Sequence, residues 1–152
     1  MTVVGLMATP VYTRQIEPES TEVESSGNLV KAVCMANWAV GGGRRNVYTR
    51  GVDGGVGVND VCMLVTTCGR VTATGSDYLY LDDGSRPSDG SGLMGVRVSA
   101  SELTIPPAGQ YVCVTGLVNA SRLSPPMTAI RLLIPRRQSD IRILGGVASN
   151  AP

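Results

Sequence analysis

The chain has 152 residues, enough for one ordinary domain, and its net charge of +1 excludes a strong basic field for nucleic acid or a membrane surface. It contains no His, which excludes His-dependent catalytic triads and His-ligated zinc or haem. Hydrophobic residues make up 43% of the chain, so it can bury a core. Nineteen Gly and nine Pro favour short strands and turns over a helical bundle.

The opening segment, MTVVGLMATP, lacks the basic region and the long apolar core of a signal peptide. No run approaches the ~20 apolar residues of a membrane span, so no membrane partner is expected. If the chain is complete as it stands, it is expected to be cytoplasmic, although a start inside a longer gene would look the same.

Composition divides the chain into four parts. Residues 1–27 mix short apolar runs with an acidic, Ser-rich stretch, and we interpret them as a tail or as the last strands of a preceding OB-like module. Residues 28–60 are irregular and Gly-rich and are expected to pack on a barrel. Residues 61–144 carry the strand patterns, and residues 145–152 are read as a C-terminal tail.

The strand patterns in 61–144 predict an all-β fold. The first strand is long and contains Gly69 as a break, and four shorter strands follow it. Five short strands in this order and spacing predict a closed Greek-key barrel of the OB-fold type, because closure removes exposed sheet edges. The predicted strands cover residues 61–74, 78–83, 94–99, 111–120 and 128–134, with a short closing strand at 140–144.

Several motifs within residues 28–144 together resemble a known family. They are GVGVNDVCMLVTTCGRVTAT, YLYLDDGSRPSDGSG, MGVRVS, PPAGQYVCVTGLV and IPRRQSDIRIL, preceded by MANWAVGGG. The set resembles an OB-fold-like domain of large secreted proteins of environmental bacteria and, more distantly, the OB-like accessory domains of extracellular nucleases. The resemblance implies an extracellular module of a larger protein, with neighbouring domains as its partners. One departure is Cys68, where similar domains often carry Trp.

The opening residues resemble the end of the barrel region. The segment Val3–Met7 (VVGLM) is similar to Val114–Val118 (VTGLV). Two further matches follow, between residues 12–16 and the strand that holds Arg131, and between residues 21–24 and 140–143. These short matches raise an internal repeat as one interpretation, and a loosely ordered tail is the alternative.

A candidate ligand face lies on the second and third predicted strands, where OB-folds bind their ligands. Period-two alternation points Leu79 and Leu81 into the barrel and therefore points Tyr78 and Tyr80 outward. On the next strand the inward-pointing valines on either side direct Arg97 outward as well. Two tyrosines and an arginine could stack bases or sugar rings and hold a phosphate. The alternative, which we favour, is that the tyrosines pack beneath the N-terminal segment or a neighbouring domain.

Two further arginines, Arg70 and Arg131, could extend this face into a local basic patch. Binders of single-stranded nucleic acid usually combine aromatic residues with a basic groove, and a net charge of +1 is small for that purpose. We therefore expect binding of single-stranded nucleic acid or oligosaccharide to be weak or absent.

Three carboxylates, Asp82, Asp83 and Asp89, lie in or beside a Gly/Ser-rich loop of the kind that can hold calcium. Their spacing does not match an EF-hand loop. The favoured alternative is a turn in which Asp and Ser side chains cap backbone amides. The segment Gly41–Arg45 lacks the residue order of a phosphate-binding P-loop, and no GxSxG motif is present. We therefore expect neither catalysis nor a cofactor.

The four cysteines form no CxxC pair, so a zinc or redox motif is not expected. The favoured interpretation is four reduced thiols, because Cys often packs as a small hydrophobic residue and the resembling domains show no disulfide framework. The alternative is a disulfide from Cys113 to Cys62 or Cys68, because the first and fourth strands of an OB barrel are neighbours. In that case Cys34 stays free or pairs with the remaining cysteine of the first strand.

Overall fold

The computed structural model describes residues 1–8, 15–122 and 128–145. These residues form nine strands in two sheets, together with two short 3₁₀ turns, at Asn37–Ala39 and Gln138–Asp140. No helix in these ranges is long and apolar enough to cross a membrane. The strands are β1 (Thr2–Ala8), β2 (Gln15–Glu22), β3 (Val33–Cys34), β4 (Leu64–Thr74), β5 (Tyr78–Asp82), β6 (Val96–Ser99), β7 (Tyr111–Arg122), β8 (Ala129–Ile134) and β9 (Ile141–Ile143).

Five of the strands close into a barrel. Their order is β4-β5-β6-β8-β7, and β7 pairs back to β4. The β6–β8 pairing is parallel, and the other four barrel pairings are antiparallel. This confirms the predicted all-β, five-stranded, OB-like barrel. Outside the ring, β3 adds in parallel to β4, and β9 adds antiparallel to β7.

β4 closes the barrel because it pairs with one strand along its first half and with another along its second half. It pairs with β7 from Leu64 to Arg70 and with β5 from Arg70 to Thr74. The change occurs beside Gly69, where a Cβ atom would lie 2.5 Å from the carbonyl carbon of Asp82. Only glycine allows the β5 backbone to approach so closely. Gly69, predicted as a break, therefore marks the bend at which the barrel closes.

The barrel interior is filled mainly by valine and leucine. Alternate residues of β6 and β7 are buried, as the period of two predicts, whereas β5 and β8 each contain three consecutive buried residues. Leu79 and Leu81 face this core as expected. The core also contains Val40 from the irregular segment before the barrel, and its remaining members are Val65, Val71, Val96, Val98, Val112, Val114, Val118, Leu133 and Ile141.

The first barrel strand begins three residues later than predicted. Residues 61–63 form a turn, in which Cys62 has a φ of 73° and the Met63 amide donates a hydrogen bond to the Asp60 carbonyl. This left-handed conformation is incompatible with a continuing strand. Alternation of apolar residues does not report such a turn, so the sequence pattern made the strand too long.

The segment before the barrel is tied to it by several contacts. β3 pairs with β4, and the buried Val40 packs against the core. The glycines of this segment let its own backbone pack closely: a Cβ on Gly42, which has a φ of 56°, would collide with the Val58 carbonyl. The Gly-rich sequence therefore forms a compact loop beside the barrel.

β1 and β2 form a separate two-stranded hairpin. Seven residue pairs join the strands, with a bulge next to Val4 and Gly5. Most of its side chains are exposed, including the apolar Leu6, Met7 and Ile16. The two strands agree with the interpretation of residues 1–27 as strands and not with a loosely ordered tail. The acidic second strand lacks the apolar alternation that marks β-structure, so the strand pattern alone gave neither strand its bounds.

A disulfide joins Cys68 on β4 to Cys113 on β7. The two residues are direct cross-strand partners with Cα atoms 4.0 Å apart, and both point away from the core. The favoured expectation of four reduced thiols was wrong, because strand pairing places these side chains together on one face. Cys34 and Cys62 are free and exposed.

This pairing predicts two free thiols when the unfolded, unreduced protein is titrated with a thiol reagent. Because the disulfide closes a loop of 45 residues, Cys113→Ser should lower the free energy of unfolding by about 2–4 kcal/mol. Cys34→Ser, at an exposed free thiol, is the matched control and should change stability by less than about 0.5 kcal/mol. Four titratable thiols would contradict the disulfide.

Candidate ligand-binding site

Tyr78, Tyr80 and Arg97 meet on the outer face of β5 and β6, as the alternation predicted. Tyr80 and Arg97 are cross-strand partners in the antiparallel pair. The carbon at the centre of the Arg97 guanidinium lies 3.8 Å from the centroid of the Tyr78 ring and 5.8 Å from that of Tyr80. The two rings are 5.8 Å apart and nearly perpendicular. We call these three residues the Tyr–Arg patch.

The Arg97 guanidinium lies over the face of the Tyr78 ring within the range of a cation–π interaction. A base or sugar that stacked on this face of Tyr78 would have to displace the guanidinium. One of the two tyrosine rings that the sequence suggested for stacking, that of Tyr78, is therefore already in contact with Arg97 on one face.

Tyr80 is fully buried, although it points away from the barrel core. Its hydroxyl donates a hydrogen bond of 2.6 Å to Asp89 Oδ2 and lies 3.5 Å from Ser91 Oγ. Both partners belong to the loop between β5 and β6. The expected outward direction is correct, and the ring is already buried within this chain, with its hydroxyl bonded to this loop.

The pKa values of Tyr80 and Asp89 are shifted in opposite directions. Desolvation, followed by the hydrogen bond to Asp89, raises the pKa of Tyr80. Desolvation also acts to raise the pKa of Asp89, but the hydrogen bonds from Ser91 and Tyr80 outweigh it and leave that pKa lowered. The neutral phenol and the ionised carboxylate are thus the stable forms, and they fasten the loop over the ring.

The three carboxylates considered for calcium each hold a separate turn. Asp82 Oδ1 accepts a hydrogen bond from the Arg86 amide, and Asp83 Oδ1 accepts one from the Ser85 amide. Asp89 Oδ1 accepts hydrogen bonds from both the amide and the hydroxyl of Ser91. Over the described ranges, no group of three or more acidic, Cys or His residues is arranged to hold a metal ion. The carboxylates therefore occupy the capping roles of the alternative interpretation.

Arg70 and Arg131 lie apart from the Tyr–Arg patch. Arg70 is exposed on β4 and pairs with Asp82, at the opposite end of β5 from Tyr78. Arg131 alternates in phase with the core residue Leu133, so it faces the barrel interior and is only 8% exposed. The predicted basic patch of three arginines is therefore not formed.

Arg131 instead lies in a buried polar group at one end of the barrel. It donates a 3.3 Å hydrogen bond to the Trp38 carbonyl, and its charge interacts with those of Asp60 and Asp89. Desolvation lowers the pKa of Arg131 and raises that of Asp60, while the attraction between the two charges opposes both shifts. The attraction between the opposite charges thus offsets only part of the cost of burying the arginine inside the fold.

Asn37 is a buried polar residue that the sequence analysis missed. Its amide group donates to Thr67 Oγ1 at 2.7 Å and accepts from the Asp83 amide at 2.7 Å, and its own backbone amide donates to Asp83 Oδ2 at 2.8 Å. Desolvation acts to raise the pKa of Asp83, but hydrogen bonds from Ser85 and Asn37 outweigh it and lower that pKa. Asn37 thereby joins the segment before the barrel to β4 and to the end of β5.

Comparisons of the chain with family models, with curated proteins and with solved structures find no match.

The Asn37 network predicts that residues 33–60 stabilise the barrel. Asn37→Ala leaves the Asp83 amide without its acceptor and removes one donor from the Thr67 hydroxyl, which still donates to the Met35 carbonyl. We expect a loss of about 2–3 kcal/mol in the free energy of unfolding, measured by urea denaturation. Asn28→Ala, at an exposed asparagine, is the control and should cost less than about 0.5 kcal/mol. Equal effects of the two substitutions would contradict the network.

The Tyr80–Asp89 hydrogen bond predicts a pH-dependent effect of Tyr80→Phe. Because the pKa of Asp89 is lowered in the folded protein, its stabilisation is present above the unfolded-state pKa and is lost as pH falls through the folded-state pKa. At neutral pH the substitution should cost about 1–2 kcal/mol. Denaturation curves at decreasing pH should show this difference shrinking, and a pH-independent difference would contradict the assignment.

Proposed function

We propose that this chain is a non-catalytic OB-fold interaction or structural module of a larger secreted bacterial protein. One observation carries the proposal: the Tyr–Arg patch, on the face where OB-folds bind ligands, is already engaged by the chain itself. Arg97 covers a face of Tyr78, and Tyr80 is fully buried beneath the loop between β5 and β6. Stacking of bases needs exposed ring faces, and this surface offers few.

The electrostatics of this surface support the same function. Arg97 is the one member of the predicted arginine patch that lies on it, since Arg70 is at the other end of β5 and Arg131 is buried. Asp89 adds a negative charge beside Tyr80. A phosphate backbone would meet a nearly neutral surface here, which argues against strong binding of nucleic acid.

The disulfide supports a secreted location. The disulfide joins Cys68 to Cys113 on the neighbouring strands β4 and β7, and structural disulfides form and persist in oxidising compartments. The bond also fastens the first barrel strand to the fourth, which suits a module that holds its shape outside the cell.

The alternative function is binding of nucleic acid or oligosaccharide on behalf of a neighbouring catalytic domain. It is favoured by the partial exposure of Tyr78 and Arg97, which lie together at the edge of the patch. A single stacked base or sugar with one arginine contact would give weak, salt-sensitive binding, because stacking contributes about 1–3 kcal/mol per base.

A titration of short, labelled single-stranded oligonucleotides and oligosaccharides distinguishes the two functions. The proposed function predicts no saturable binding, or only weak binding at low salt that physiological salt abolishes. Tyr78→Ala tests the patch, and Tyr111→Ala, at an exposed tyrosine on β7, is the matched control. Submicromolar binding at physiological salt that Tyr78→Ala removes and Tyr111→Ala preserves would overturn the proposal in favour of the alternative.

A further inference from the structure

The N-terminal hairpin has the same strand pairing as the last strands of the barrel. When residues 3–7 of β1 are matched to residues 114–118 of β7, their partners also correspond. In the hairpin, Leu6 pairs with Glu17 and Met7 pairs with Ile16. At the matching positions of the barrel, Leu117 pairs with Ile134 and Val118 pairs with Leu133. The two segments that are similar in sequence are therefore also paired in the same register.

The matched glycines make the same close approach to the opposite strand. A Cβ on Gly5 would collide with the Glu17 carbonyl oxygen, and a Cβ on Gly116 would lie 2.8 Å from the carbonyl atoms of Ile134. In both strands a proline follows the approached residue, Pro18 after Glu17 and Pro135 after Ile134. An isolated hairpin has no need of such a contact, whereas in the barrel it lets β8 approach β7 closely.

The correspondence continues beyond the proline. In the barrel, a turn over residues 136–140 leads into β9, and Ile141 pairs with Val114. In the hairpin, the bulge after Pro18 lets Thr21 pair with Val3, the residue matched to Val114. β2 therefore takes the places of both β8 and β9. The pairing matches Thr21 to Ile141, one residue later than the sequence similarity suggested, and residues 12–14 of that similarity lie outside the described ranges.

The two faces of the hairpin correspond to the inside and outside of a barrel. Val114, Val118 and Leu133 are buried in the core, and they match Val3, Met7 and Ile16, which share one face of the hairpin. Met7 and Ile16 are nevertheless 63% and 47% exposed. Among the described residues, the hairpin thus presents an inner face on which Val3 is half-buried and Met7 and Ile16 are exposed. A lone two-stranded hairpin is at best marginally stable in water.

We propose that this hairpin is the C-terminal part of a second OB-like barrel, completed by three strands from a segment that precedes it in a longer polypeptide. The inference rests on the proposed function only in assuming that larger polypeptide. The pairings in the barrel of residues 64–143, β4 antiparallel to β7 and β6 parallel to β8, define how the missing strands would add. The first strand of the preceding segment pairs antiparallel with the free edge of β1, and its third strand pairs in parallel with the free edge of β2. Their inner faces carry the apolar residues that cover Met7 and Ile16.

The test compares hydrogen exchange in the polypeptide encoded by the complete reading frame with exchange in the 152-residue chain. The proposal predicts slow exchange of the β1 and β2 amides in the former and fast exchange in the latter, because only the former supplies the three strands. A reading frame that begins at Met1, or equal exchange in both proteins, would overturn it. Protection in the 152-residue chain that rises with concentration would indicate pairing between copies and would also overturn it.

Two matched substitutions in the complete polypeptide identify the face that is covered. Ile16→Asp puts a charge on the inner face and should speed exchange of the hairpin amides by more than ~10-fold, since a buried, unpaired charge is costly. Leu6→Asp, at an outer position matched to the 43%-exposed Leu117, should change it by less than about twofold. Equal effects, or a larger effect of Leu6→Asp, would contradict the proposal. Neither result depends on the oligonucleotide titration, so the two proposals can fail separately.

Discussion

Closure of the barrel depends on one strand, β4, which pairs with β7 along its first half and with β5 along its second. The exchange of partners requires the β5 backbone to pass directly against Gly69, where any side chain would collide. The disulfide lies at the adjacent position, between Cys68 and Cys113. The covalent bond and the close backbone contact therefore hold the same corner, and the register of β5 and β6 that forms the Tyr–Arg patch follows from it.

The sequence was sufficient to predict the barrel because β6 and β7 alternate residues that face a hydrophobic interior with residues that face outward, and turn residues separate the five barrel strands. The same rule correctly directed Leu79 inward and Tyr80 outward. It failed where a side chain's surroundings depend on distant segments. Alternation cannot show that the loop holding Asp89 covers Tyr80, or that Arg131 lies at a barrel end where Asp60 interacts with its charge. Burial of Tyr80 was the favoured expectation, and only its surroundings could not be predicted, whereas the buried Arg131 looked available to a ligand.

The cysteines also show that alternation within one strand does not reveal which residues of neighbouring strands meet. Outward alternation makes Cys68 and Cys113 look like independent surface thiols when each strand is considered alone. The register between β4 and β7 makes them direct partners. Cys62 lies in a turn with a positive φ, outside the strand, and it does not form the disulfide. The disulfide was thus open to prediction as an alternative but could be chosen only once the register was known.

The surfaces through which OB-folds usually act are occupied here by the chain itself. The outer face of β5 and β6 is covered by a loop and an arginine, and one end of the barrel is closed by the segment that carries Asn37 and Val40. Each of these contacts satisfies buried polar or apolar groups that a ligand would otherwise have to satisfy. Met7 and Ile16 of the hairpin, by contrast, are cross-strand partners that remain exposed. The further strands that we propose for the hairpin would cover these two side chains, whereas a ligand on the β5–β6 face would meet only the half-exposed Tyr78 and Arg97.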